Sequence, residues 1–117
     1  MSYDVWLRVK GGVQVYESNM TSNVSDMWYE HFEVDGGLHG LQDLSWKEAK
    51  PHFARFWENL SNERRRLYVE GAVGEPRFCA KYDIDNGWGS AVGAMMFIAE
   101  LQSAWAMNPK AKLLVCA

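Results

Sequence analysis

The apolar and polar positions of the chain change period several times, and each change marks an element. From Tyr3 to Val9 they alternate, with Val5, Leu7 and Val9 on one side and Asp4, Trp6 and Arg8 on the other, the period of a half-buried strand. Gly11-Gly12 follows as a turn that tolerates positive φ, and Val13 and Val15 resume the alternation to about Ser18, which predicts an N-terminal hairpin. Its outward Trp6 and Tyr16 read as cross-strand pairs. Val24, Met27, Trp28, His31 and Phe32 then recur at i, i+3, i+4, i+7 and i+8, one face of a helix. Ser22 or Asn23 would cap it, with Asp26 in the first turn, where a negative charge suits the helix dipole.

Residues 33–44 show no period and contain Gly36, Gly37 and Gly40, so they read as a loop long enough for mobility or binding, with His39 at its tip. Ser45 to Glu48 has the form of a capping box, but Pro51 opposes a helix running straight through it. The expectation is a short turn and then a main helix with Pro51 in its first turn; Phe53, Phe56, Trp57, Leu60 and Leu67 carry it to about Val69. Residues 71–75 connect, and 77–85 admit either a short strand or a helical turn. Between Ala91 and Met107 only Glu100, Gln102 and Ser103 are polar, so this helix is apolar on nearly every face and belongs in the middle of the fold. Ser90 is its N-cap, Asn108-Pro109 its stop, and Lys112 to Cys116 a closing strand. These elements predict one α+β domain over residues 1–117. In it a small antiparallel sheet, the N-terminal hairpin plus the C-terminal strand, packs against about three helices, the last one central and buried.

Composition narrows the classes. With 48% apolar residues and six tryptophans in 117 residues, a packed core is expected and disorder is excluded. The net charge of −3 gives no overall pull toward nucleic acid or an anionic membrane, so such binding would rest on a local patch. Ala91 to Ala99, the longest apolar run, is too short to span a bilayer. Cys79 and Cys116 are too few for a disulfide framework and wrongly spaced for zinc; they read as buried free thiols of a cytoplasmic protein. His31, His39 and His52 lack the helical His spacing of dedicated metal sites, even with Glu30, Glu33 and Asp35 nearby, so no metal or cofactor is expected. Arg64-Arg65-Arg66 points in three directions on a helix and reads as a solvated face.

Candidate binding chemistry gathers at two helix starts. Asn19, Thr21 and Asn23 lie where a strand ends and a helix begins, and Asn86, Trp88 and Ser90 lead into the last helix. If the two starts converge, they offer backbone N–H groups and side-chain amides to an anion or a base edge. The many aromatics supply interface area or stacking surface. Catalysis would draw on His31, His39, His52, Cys79 and Asp85, which no motif spacing forces together. A non-enzymatic binder is therefore the favoured class.

Thr21-x-Asn23 followed by Met27, then Asn86-Gly87-Trp88-Gly89-Ser90, a helix, and Asn108-Pro109 before a closing strand together resemble a group of small uncharacterised proteins carried by phages and prophages. The resemblance spans roughly residues 14–117 and carries over no catalytic residue. It departs after Ser90, where that group tends to have an aromatic or acidic residue and this chain has Ala91-Val92-Gly93. It implies a phage accessory protein of the host cytoplasm that counters a host process by binding a host protein or a small anionic, nucleotide-like ligand. Nucleic acid and membrane are disfavoured as partners and self-association is left open. The alternatives are a small enzyme acting on a nucleotide-like substrate and a virion structural or assembly protein.

Overall fold

A computed structural model describes residues 2–21, 24–69, 78–83 and 89–116, except the side chains of 68, 69, 79 and 80. Strand β1 (Ser2–Arg8) alternates as expected, with Tyr3, Val5 and Leu7 buried and Asp4, Trp6 and Arg8 facing outward. Gly11 and Gly12 take φ of 90° and 79°, the left-handed turn conformation that only glycine adopts cheaply, and return the chain as β2 (Gln14–Thr21). The closing strand β3 (Lys112–Cys116) pairs with the other edge of β1, giving an antiparallel sheet in the order β2-β1-β3.

The helices cover one face of this sheet. Helix α1 (Ser25–His31) buries Met27, Trp28 and His31, with Val24 and Phe32 buried at its ends. Trp28 stacks on Phe97, meets Tyr3 edge-on, and donates its Nε1–H to the Ala94 carbonyl at 3.4 Å. Helix α2 (Trp46–Val69) and helix α4 (Ala91–Met107) are joined by Trp57 Nε1 donating to Gln102 Oε1 at 2.6 Å. Between them lies α3 (Phe78–Tyr82), a single turn whose Phe78 and Tyr82 are buried. The undecided stretch 77–85 is thus helical over Phe78–Tyr82 and bends at Asp83. Among the described residues no helix is long and apolar enough to cross a membrane.

Tyr16 lies opposite Leu7 on the helix-covered face and not outward beside Trp6, and α1 has Val24 at its N-cap position with no side-chain cap, where Ser22 or Asn23 was expected; four further expectations change. Helix α2 starts at Trp46, so Pro51 sits in its second turn. Glu48 Oε1 accepts from Ser45 N and Ser45 Oγ, at 3.1 and 3.0 Å, which is the half of the capping box in which the glutamate reaches back to the N-cap. Pro51 is tolerated because it and Lys47, whose carbonyl loses a donor, are both exposed to water. Second, residues 33–44 are anchored: Gly37–Leu41 forms a 3₁₀ turn that buries Leu38 and Leu41, and His39 lies against Tyr3. Gly40 permits this, since a Cβ there would come within 2.5 Å of the Asp35 carbonyl and of Val34. Third, Cys116 is free and exposed, because alternation on β3 turns it away from the helices. Last, α4 is central and buries Ala91, Ala94, Phe97, Ile98, Leu101 and Trp105, yet its outward stripe of Val92, Met96 and Met107 is exposed.

Candidate functional site

With the helices on one side, the other face of the sheet is open, and strand register lays its side chains out in rows. Residues directly opposite in antiparallel strands project from the same face. Asn19, Asp4 and Cys116 form one row, Glu17, Trp6 and Leu114 the next, and Gln14, Arg8 and Lys112 the third. An open depression of about 370 Å³ is lined by Asp4, Trp6, Glu17, Ser18 and Asn19. A second, of about 390 Å³, lies at the opposite end of the rows, where Arg8, Lys10, Lys110 and Lys112 surround Leu114 and the lone carboxylate of Asp43. Each is of the size that small-ligand sites begin at.

The electrostatics divide the face. Asn19 Nδ2 donates to Asp4 Oδ1 at 2.6 Å, and Gln14 Nε2, reaching from the third row, to Glu17 Oε2 at 2.8 Å, so Asp4 and Glu17 make one end of the face acidic. At the other end, none of Arg8, Lys10, Lys110 and Lys112 reaches ion-pair distance of a carboxylate among the described residues; Lys112 has only a longer-range attraction to Glu48. Arg8 leans toward the Trp6 ring, 6.0 Å from its centroid, and couples the aromatic to the cationic end. This local basic patch is hidden in the sequence, because its members come from positions 8–10 and 110–112 and the chain as a whole is acidic.

The residues singled out from sequence are distributed as follows. Asn19 belongs to the open face. Thr21 ends β2 opposite Ser2. Ser90 caps α4, its Oγ accepting from Gly93 N at 3.0 Å, while Asp83 Oδ1 accepts from Ala91 N at 2.8 Å. Two first-turn N–H groups of α4 are therefore satisfied by the protein's own oxygens. The Met20 methyl lies 3.2 Å from where a Cβ on Gly93 would be, so the end of β2 does approach the start of α4. Alternation nevertheless points Asn19 to the opposite side of the strand from Met20. Asn23, Asn86 and Trp88 lie outside the described residues.

A second polar group, not anticipated as a unit, joins α1, α2 and α3. The Tyr82 hydroxyl meets Glu30 Oε2, Glu63 Oε1 at 2.6 Å and His31 Nε2 at 3.1 Å, and Lys81 Nζ bridges Glu30 and Glu63 at 3.1 Å each. Burial pushes the Tyr82 phenol well up, and its hydrogen bonds to Glu30 and Glu63 add to this, so it stays protonated and donates. Its oxygen lies 3.1 Å from His31 Nε2, within hydrogen-bond reach. Burial alone would raise Glu63, but donation from Tyr82 and Lys81 outweighs it and holds the carboxyl below its usual range. Burial likewise opposes the Lys81 charge, and the two glutamates overcome it and raise the ammonium. Donor atoms of Glu30, His31 and Glu63 lie within 4.8 Å of one another, an arrangement able to hold a metal ion, with Lys81 already supplying a positive charge between the carboxylates. The signal for this group was present only in part, since Glu63 and Tyr82 are far from Glu30 and His31 in sequence. No family model, curated protein or solved structure matches the chain.

Proposed function

We propose that the chain is a non-enzymatic binder holding a small, nucleotide-like anion on the open face of its sheet. The observation that supports this best is the adjacency of Trp6 to Arg8 and Lys112, with Lys10 and Lys110 beside them and no carboxylate pairing any of the four cations among the described residues. An indole supplies a stacking surface for a base, and unpaired ammonium and guanidinium groups supply the counter-charge for phosphate. Stacking and ion pairing retain a ligand without altering it, so the activity is stoichiometric withdrawal. In the setting that the resemblance implies, a phage accessory protein would withhold such a metabolite from a host process.

Calorimetric titration of the whole protein with ATP, GTP, CTP and UTP, followed by recovery of the nucleotides, tests this reading. Saturable binding by at least one is expected, weakened about tenfold or more by raised salt or in the Arg8→Ala/Lys112→Ala double variant, with the nucleotide recovered intact. Absence of binding, or turnover to product, overturns it. A host protein as partner is the second reading, favoured by the exposed Val92, Met96 and Met107 on α4. It predicts that Met96→Glu abolishes retention of a co-purifying host protein while leaving nucleotide titrations unchanged.

A further inference from the structure

We infer that the nucleotide selected by this face carries guanine. The inference rests on the nucleotide-binding reading and adds the base. The row farthest from the cations offers acceptors: Asp4 Oδ1 takes one Asn19 amide proton, which leaves Asp4 Oδ2 and the Asn19 carbonyl oxygen able to accept. Glu17, beside Trp6, takes the Gln14 amide on Oε2 and keeps Oε1 free. Beside the second Asn19 N–H and the Ser18 hydroxyl, this end therefore presents two carboxylate oxygens, Asp4 Oδ2 and Glu17 Oε1, that can only accept.

A base stacked on Trp6 with its phosphates toward Arg8 and Lys112 turns its Watson–Crick edge toward Asp4. Guanine presents two adjacent donors there, N1–H and the 2-amino group, which a carboxylate accepts together. Adenine and cytosine each place a ring-nitrogen acceptor beside their amine, so an acceptor wall meets it lone pair to lone pair. Uracil has a single N3–H between two carbonyls. Leaving such edges unmatched discriminates more strongly than extra apolar contact can.

The span also fits one nucleotide. Asp4 and Arg8 are four residues apart on β1, about 13 Å at about 3.3 Å per residue. A nucleic-acid strand would need cations along its whole track, whereas here they stand at one end and carboxylates at the other.

The test is calorimetric titration of the whole protein with GTP, ITP and ATP, the hypoxanthine of ITP differing from guanine only by the missing 2-amino group. GTP is expected to bind about tenfold or more tightly than ITP or ATP. In Asp4→Asn, whose amide introduces a donor, the preference is expected to shrink to about threefold or less while triphosphate binding persists; Glu17→Gln serves as a second variant, and thermal melting confirms that each is folded. Equal affinity for the three, or a guanine preference unchanged in both folded variants, overturns the inference and leaves the nucleotide reading standing. Failure of all three to bind overturns both.

Discussion

Asp4 and Asn19 face each other across β1 and β2, the amide nitrogen 2.6 Å from the carboxylate oxygen. The pair is exposed, so it contributes little to the fold, yet it fixes which atoms the acidic end turns outward. Asn19→Ala is expected to change the free energy of unfolding by no more than about 0.5 kcal/mol in urea titration. In the same variant the discrimination between GTP and ATP should fall, because Asp4 is no longer held in one orientation.

The polar group around Tyr82 makes stability depend on pH at both ends. Glu63 is held below its ordinary value of 4.5 in the folded chain, so its contribution is present above that value and is lost as pH falls through the depressed one. Lys81 and Tyr82 are raised above 10.5 and 10.0, so their contributions are present below those values and are lost as pH rises through the folded ones. Thermal melting from pH 2 to 11 should show a plateau with a fall on each side. Glu63→Gln should flatten the acid limb.

The start of α4 is capped twice, by Ser90 and by Asp83. Ser90→Ala is expected to cost about 1 kcal/mol and Ser90→Gly only a few tenths, read from denaturant midpoints.

Trp28 has no exposed surface and contacts the sheet through Tyr3 and α4 through Phe97. Trp28→Ala should cost about 3–5 kcal/mol, a large share of the total for a domain whose stability is about 5–15 kcal/mol. A two-state denaturation series with the native chain as reference measures it.

Much of the fold was legible because single-element patterns decide it: alternation in β1, the one-sided spacing through Trp28 and Phe32, and the apolar run ended by Asn108-Pro109. What escaped depends on tertiary surroundings. The packing of Gly40 against Val34 turned an aperiodic stretch into an anchored turn, and solvent at Lys47 let Pro51 lie deeper in a helix than local rules suggest. The candidate site was legible at Asn19 alone. Arg8 and Lys112 become neighbours only through the pairing of β1 with β3, and Glu63 meets Tyr82 only when α2 and α3 pack.

The location of the ligand on the sheet is tested most directly by nitrogen-15 NMR of the whole protein titrated with GTP. The account predicts shifts concentrated at the Trp6 indole and at the backbones of Asp4, Arg8 and Lys112, with Ser90 to Ala94 unmoved. Shifts centred on Ser90 to Ala94, with Trp6 and Arg8 unchanged, would contradict it.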